Sequence, residues 1–300
     1  MKVLITGGSG FIGQHLCRRL AAHAHELIVL SRRPGKARRV LPEGTRVVRR
    51  LDDIASDEVI DGVINLAGES LFAGRWSGRR KAILMESRVG VTNALIALIA
   101  RLERKPAVLV SGSAVGFYGD AGNAELTEES AARKKDFGYR LCDAWEQAAR
   151  PVSRQGVRLS IIRTGVVLGR DGGMLGRLLP LYRLGLGAMI GDGSQWLSWI
   201  HIDDMVAILV RALETPGVEG VFNACAPNPV TQREFHHQLA HELHRPGLLR
   251  VPARLLKLGL GEQSAMLLGG QRVFPRRLEQ QGFIFRFPDL TSALVHLNSR

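Results

Sequence analysis

Cysteine is scarce in this chain. Cys17, Cys142 and Cys225 are the only three in 300 residues, too scattered for a disulfide framework or for the paired spacing of a zinc site. A reducing compartment, the cytoplasm, is the simplest home for such a chain. Long apolar runs are missing as well. None reaches the ~20 residues that a membrane span needs, and the first apolar run ends at Thr6 without the charged, apolar and small-residue order of a secretory signal. A membrane partner is therefore not expected. Acidic residues are outnumbered by basic ones, 28 against 41, for a net charge of +13. That excess has two readings, an anionic ligand or a generally basic surface. Nucleic-acid binding needs a reading element beside a basic face; the arginines are spread along the chain and no such element accompanies them. Nucleic acid is not an expected partner.

What the chain does have begins at its first residues. Lys2-Val3-Leu4-Ile5-Thr6 is a short buried-type strand, and Gly7, Gly10 and Gly13 follow at regular spacing. Phe11, Ile12, Leu16 and Leu20 then recur at helical intervals. Strand, tight turn and helix form the context in which such glycines bind a dinucleotide. Gly7 supplies the turn, Gly10 lets backbone approach a pyrophosphate, and Gly13 lets the helix lie close to the sheet. The anion then meets the free N–H groups and positive dipole end of the helix.

Glu26–Leu30 reads as a second strand and ends in Ser31-Arg32-Arg33. An NAD-preferring site commonly carries an acid there for the ribose 2′-hydroxyl. A hydroxyl and guanidinium forks instead favour a 2′-phosphate, hence NADP. Arg46–Arg49 suits a third strand, followed by Asp52 where the adenine edge would lie. Asp61–Gly68 is a fourth, ending in small residues that let a cofactor pass close. A helix over Ser77–Arg104, a strand over Pro106–Val110, a helix over Phe137–Gln155 and a strand over Val157–Val167 complete an alternating pattern. That alternation predicts an α/β fold, a Rossmann doubly wound parallel sheet.

Beyond Gly169 the pattern loosens into short elements: helices near Leu175–Leu184, Met205–Glu214, Arg233–His244 and Ala253–Leu258, and a strand near Leu197–Ile202. The expected division is residues 1–169 as the NADP-binding domain and 170–300 as a smaller, closely packed C-terminal substrate lobe, with some exchange of chain between them. The sequence is compatible with a homodimer but does not set the oligomeric state.

Asn65–Gly68, Ser111–Ala114 and Trp199–Asp204 carry a more specific signal. With the glycine motif they resemble the extended short-chain dehydrogenase/reductases, the nucleotide-sugar epimerase and dehydratase group. Within that group the chain is similar to the atypical YfcH-like epimerase family. The matching segments include Gly68-Glu69 with Arg75-Trp76, Ser113–Gly119, Leu126–Ser130, Gly165–Gly169, Gln195–Asp204, Asn223–Pro229 and Gly270–Pro275, in order along nearly the whole chain. The resemblance implies bound NADP, held by Gly7, Gly10, Phe11, Ile12, Gly13, Ser31, Arg32, Arg33, Asp52, Leu66, Ala67, Gly68 and Glu69. It also implies a small polar, nucleotide-linked type of substrate.

One departure from that superfamily stands out. Its members use Tyr-x-x-x-Lys, in which the lysine charge helps the tyrosine act as a base. Unassisted tyrosine, with a pKa of about 10, is a poor base at neutral pH. The three tyrosines here, Tyr118, Tyr139 and Tyr182, are followed four residues later by Gly122, Asp143 and Leu186. Counting back from Glu146, the lysine slot falls on Cys142 and the tyrosine slot on Gly138. Tyr139 is one residue out of register, which turns it by about 100° around a helix. Ser113 matches the superfamily serine. Ser113, Tyr139 and Cys142 are thus the candidate catalytic residues, each with a bland reading beside it: a strand-end hydroxyl, a partly exposed helix residue and a packing cysteine. Arg163, mid-strand, is expected to pair with a carboxylate.

Trp76, Gln195, Trp199, His201 and Arg272 are the candidate substrate residues. His201 has a structural alternative, since it precedes Asp203 at a strand-to-helix junction where an acid is a natural N-cap. No metal site is expected from ligand spacing. Two functions remain open: an NADP-dependent epimerase or oxidoreductase, and an NADP-binding sensor that retains the fold with little or no catalysis.

Overall fold

The computed structural model, which describes residues 1–299, opens with strand β1 (Lys2–Thr6) and helix α1 (Phe11–Ala22). There follow β2 (Glu26–Leu30), α2 (Pro34–Arg38), β3 (Arg46–Val48), β4 (Gly62–Asn65), α3 (Gly78–Arg101), β5 (Val108–Ala114), β6 (Glu125–Leu126) and α4 (Phe137–Ala149). The second half carries β7 (Arg158–Thr164), β8 (Val166–Gly169), α5 (Gly173–Arg183), β9 (Ala188–Ile190), β10 (Trp196–Leu197), β11 (Trp199–His201), α6 (Ile202–Glu214), β12 (Gly220–Ala224), β13 (Val230–Thr231) and α7 (Gln232–Glu242). It closes with β14 (Leu249–Val251), α8 (Ala253–Leu260), α9 (Ala265–Leu268), β15 (Arg272–Val273), α10 (Arg276–Gln280) and α11 (Leu290–Asn298).

Seven strands form one parallel sheet in the order β12-β7-β5-β4-β1-β2-β3. Successive strand residues point to opposite faces, and two cores follow. Val3, Ile5, Val29 and Val110 pack with Leu16 and Leu20 of α1 and Met205 and Leu209 of α6. Leu4, Ile28, Val63 and Leu109 pack on the other face with Leu95, Leu98 and Ile99 of α3. This is the doubly wound architecture expected, and its strand order reverses between β1 and β4. Ligands of such sheets bind in the crevice at that reversal.

Two strand boundaries and one whole strand differ from the expectation. β5 runs on to Ala114, so Ser111 and Ser113 lie within the strand. The strand expected over Val157–Val167 breaks at Gly165, where the chain turns away from the large sheet. β8 then pairs with β11 in a separate two-stranded sheet. A Cβ on Gly165 would come within 2.7 Å of the Ser198 carbonyl oxygen, so the break is a close backbone crossing. The seventh strand, β12, was not anticipated. It comes from the segment assigned to the second lobe, as does α6 against α1, so the lobes are interwoven.

Helix α3 qualifies the statement about apolar runs. By length and composition it is apolar enough to cross a membrane, with a mean hydropathy of 1.5 over 18 residues. Glu86 and Arg88 interrupt it, and in the fold it is the crossover between β4 and β5. The C-terminal lobe has its own core, in which Leu175, Leu179 and Tyr182 of α5 meet Trp199 of β11, Phe235 and Leu239 of α7, and Leu290 and Leu294 of α11.

Candidate functional site

The carboxyl ends of β1, β2 and β4 bring the expected nucleotide-binding residues together. Gly7 has φ +71°, and a Cβ there would lie 2.5 Å from the Leu66 carbonyl oxygen; one on Gly13 would lie 2.2 Å from that of Gly7. Only glycine permits this turn and this approach. The crevice is pinned from below. Thr6 donates to Asn65 Oδ1 at 2.6 Å, Asn65 Nδ2 donates to Thr92 Oγ1 at 2.8 Å, and the Ala67 N–H donates to Thr6 Oγ1 at 3.1 Å. That fixes Leu66, Ala67 and Gly68 beside the glycine turn.

Gly10 caps α1 with no side-chain hydrogen bond and no acid in the first turn, so the N–H groups of Phe11 and Ile12 and the positive helix end stay available to an anion. The Phe11 ring is half-buried against the core and fills the space left by Gly169, Gly172 and Gly173. Ser31 follows β2, its hydroxyl accepting the Arg33 N–H at 3.2 Å.

Arg32 donates to Glu69 at 2.6 Å while its side chain stays 82% exposed. The hydrogen bond from Arg32 holds the Glu69 carboxyl below its usual range, against the effect of burial. An exposed ion pair is worth only ~0–1 kcal/mol, less than the ~1.5–3 kcal/mol of a charged hydrogen bond to phosphate. Arg32 is thus free to exchange partners. Asp52 stands apart from this group, exposed and paired with Arg50 at 3.1 Å. The glycine turn, the uncapped helix and the arginine at the end of β2 together fit a phosphorylated dinucleotide.

The second cluster lies at the ends of β5 and β7. Arg163 is buried and makes a two-pronged contact with Glu146, Nε to Oε1 at 2.8 Å and Nη2 to Oε2 at 2.9 Å. The carboxylate expected for Arg163 is therefore Glu146. Ser113 donates to the same Glu146 Oε1 at 2.7 Å, and Arg163 Nη1 donates to Tyr118 Oη at 3.1 Å. Tyr118 in turn donates to Asn223 Oδ1 at 2.8 Å. Burial pushes the Tyr118 hydroxyl up to about 12 and the Cys142 thiol up to about 11, with Glu146 adding to the latter.

Cys142 is buried against Ser113 and the turn at Gly116, and Gly138 faces the Gly116 carbonyl. The Tyr139 ring instead rests on Phe117 with centroids 5.5 Å apart. Trp76 packs edge-on against Phe137, at the start of α4, and its indole N–H donates to the Leu71 carbonyl.

The proposed substrate residues of the second lobe do not assemble into a pocket wall. Trp199 is fully buried in the C-terminal core, its N–H donating to the Asn228 carbonyl at 3.1 Å. Gln195 spends its amide N–H groups on the carbonyls of Ile190 and Leu267. His201 is fully buried too; its Nδ1 accepts the Asp203 N–H and caps α6, and it stacks on Phe287 at 3.9 Å. These three are structural residues. Trp199 and His201 lie in β11, and Gln195 in the bend before β10. Arg272 lies over the Trp196 ring at 4.6 Å and pairs with Glu125 at 3.1 Å.

His201, Asp203 and His296 have ligand atoms within 4.8 Å of one another, a grouping that the sequence spacing did not show. The His201 Nε2 and His296 Nδ1 atoms are 3.1 Å apart, a hydrogen bond, and Asp203 is engaged by Arg286 at 3.3 Å. The sequence reading also passed over Arg88, whose guanidinium lies against Gly68 and over the Trp145 ring.

Residues 3–225 match the NAD dependent epimerase/dehydratase family, and residues 251–297 match a domain of unknown function, DUF1731. Epimerase family protein YfhF of Bacillus subtilis (strain 168) is 38% identical over 301 residues, covering 99% of this chain and 98% of that protein. The crystal structure of human epimerase family protein SDR39U1 (isoform 2) with NADPH has a TM-score of 0.92 and 36% identity, covering all of both chains. UDP-glucose 4-epimerase of Thermotoga maritima, solved with UDP-glucose, has a TM-score of 0.82 at 18% identity and covers 98% of this chain and 96% of that one. That last likeness is one of fold alone.

Two predictions follow from the buried charges. Glu146→Gln leaves the Arg163 guanidinium without its carboxylate, and removing one partner of a buried pair costs ~3–5 kcal/mol. Urea unfolding should show that loss, and Glu146→Gln combined with Arg163→Met should cost less than the two single changes summed. An unchanged midpoint for Glu146→Gln would show that the pair contributes nothing.

Burial pushes His201 down to about 4 from 6.5. A depressed histidine contributes stability in its neutral form, present above its ordinary value and lost as pH falls towards 4. His201→Asn keeps a cap acceptor for the Asp203 N–H. Its stability should therefore fall less than that of the parent between pH 6.5 and 4, and parallel curves would overturn this assignment.

Proposed function

The chain belongs to the NAD dependent epimerase/dehydratase family, and we propose that it binds NADP(H) and acts as an oxidoreductase or epimerase on a small polar, nucleotide-linked type of ligand without a tyrosinate base. Its finer placement beside the YfcH-like branch rests on the segments Ser113–Gly119, Trp199–Asp204 and Gly270–Pro275. The cofactor part of the reading is supported by the fit of the crevice and by the NADPH in the human relative.

When bound, NADP(H) supplies or accepts a hydride at its nicotinamide. This chain's own residues bind and orient it. The Gly7–Gly13 turn and the α1 N–H groups take the pyrophosphate, and Arg32, with Ser31 and Arg33, takes the 2′-phosphate.

The observation that carries the chemical part is the occupancy of the usual base positions by Gly138 and Cys142. With its thiol raised to about 11 by burial, Cys142 is protonated at neutral pH, as is Tyr118 at about 12. Neither abstracts a proton under those conditions. Ser113 holds its own proton towards Glu146 and keeps lone pairs with which to orient a ligand hydroxyl. Such a site favours orienting a ligand over abstracting a proton from it.

A second reading, an NADP(H) sensor with little or no turnover, is favoured by one specific observation: the Ser113 hydroxyl is already engaged inside the Glu146–Arg163 network. NADPH binding that is tight and stereospecific, with no consumption across a panel of carbonyl compounds, would select that reading.

Titration with NADP and NAD tests the cofactor assignment. The 2′-phosphate contact should give on the order of a tenfold or greater preference for NADP, and Arg32→Asp should reverse it. Equal affinities in the parent would sink the assignment.

Tyr139→Phe should leave any turnover within a few-fold, because losing a working general base costs roughly 10²–10⁴-fold. Ser113→Ala should have the larger effect. A folded, NADPH-binding Tyr139→Phe protein that has lost two or more orders of magnitude in rate would identify Tyr139 as the base.

A further inference from the structure

The loop after β4 is crowded with positive charge. Arg32 and Arg80 both reach the Glu69 carboxylate, at 2.6 and 3.6 Å. Arg88, from the third turn of α3, does not share in it. Its Nη1 donates to the Leu84 carbonyl at 3.2 Å and to Ser87 Oγ at 3.3 Å, and its Nη2 donates to the Glu69 main-chain carbonyl at 3.2 Å. All three acceptors are neutral and all three bonds are long.

The nearest groups on the other elements packed here do not supply a charge either. Glu146 on α4 is committed to Arg163 and Ser113, and the Cys142 thiol stays protonated. Trp145, over whose ring the Arg88 guanidinium lies at 5.3 Å, has a buried indole N–H with no hydrogen-bond partner. Three guanidinium groups thus stand near one carboxylate, and Arg88, which makes no hydrogen bond to it, feels the Glu69 charge only through space.

Position gives that charge a purpose. Gly68 is exposed on the crevice wall, and a Cβ there would lie 2.8 Å from the Arg88 Cζ. The guanidinium fills the space that a side chain on Gly68 would occupy, so it packs directly against that residue of the crevice wall. Burial lowers its pKa below the usual guanidinium range, so it sits where water solvates it poorly and where an anion is worth most.

We propose that Arg88 is a substrate-binding residue, holding an anionic oxygen of the carboxylate type on the small-molecule ligand at the β4–β5 end of the crevice. The proposal rests on the reading above, in which this crevice holds NADP(H) together with a small-molecule ligand. It deepens that reading by naming an anionic ligand class. Arg88 also stands where a cation is otherwise lacking, since the lysine slot is Cys142. It reaches the same region from α3 instead of α4. Its planar fork matches a carboxylate with two parallel hydrogen bonds, which an ammonium group cannot do.

The test uses the full chain saturated with NADP⁺, so that the pyrophosphate and 2′-phosphate sites are filled and cannot report. Oxamate is the carboxylate probe and acetamide its uncharged control, with tryptophan fluorescence as readout because Trp145 lies under the guanidinium. Oxamate should give a saturable change that acetamide does not. Arg88→Met should weaken oxamate binding tenfold or more, the scale of a charged hydrogen bond, while NADPH still binds and so reports an intact fold. Arg88→Lys, which keeps the charge but not the fork, should recover part of the affinity.

Oxamate binding of parental strength in folded Arg88→Met overturns the proposal, as does a parent that binds NADPH but shows no saturable carboxylate response. A parent that fails to bind NADPH at all removes the cofactor reading itself, a different and separately visible result.

Discussion

The contact on which the rest depends is the meeting of three backbone segments at Gly7, Gly13 and Leu66. Side chains at either glycine would collide with carbonyl oxygens at 2.5 Å or less. With hydrogen there instead, α1 settles against the ends of β1 and β4, and the crevice opens where the strand order reverses. The Thr6–Asn65–Thr92 chain of hydrogen bonds then locks β1, β4 and α3 into one register. Everything proposed to touch a ligand hangs from those elements: Arg32 from the end of β2, Gly68 and Glu69 from the loop after β4, Arg88 from α3.

Two buried arginines illustrate how the same residue type takes opposite roles. Arg163 loses solvation but recovers it through a two-pronged contact to Glu146, so burial is outweighed and its pKa ends above the ordinary value. It belongs to the scaffold, tying β7 to α4 and to Tyr118. Arg88 is desolvated with no carboxylate in direct contact, the Glu69 charge acting on it only through space, and its pKa falls instead. Desolvation is the first factor in both cases; whether a counter-charge is in hydrogen-bonded contact decides the sign. A fully matched buried pair has little left to offer a ligand, whereas an unmatched guanidinium at a crevice wall does.

The second lobe shows how far local pattern can mislead about roles. Its aromatic and polar residues look like pocket material when read along the chain. In the fold, Trp199 fills the lobe's own core, Gln195 ties two backbone segments together, and His201 caps α6 and meets His296 of α11. A small lobe built from short elements has many chain ends and carbonyls to satisfy, and polar side chains are consumed in doing so.

The sequence alone determined the strand–turn–helix at the N-terminus, the alternation that makes a doubly wound sheet, the arginines at the end of β2 and the vacancy in the tyrosine–lysine register. All of these are local: they depend on residues within a turn or two of one another, where periodicity and glycine placement act directly. Even Arg88 left a local trace, since it interrupts the stripe Leu84, Thr92, Leu95 and Ile99 on the sheet-facing side of α3. Tertiary structure decided the rest. It placed β12 beside β7 and turned the chain out of the sheet at Gly165. It also chose Glu146 as the partner of Arg163 and left Arg88 without one. Those outcomes depend on which distant segments arrive with charge or bulk to spare, and spacing along the chain carries no record of that.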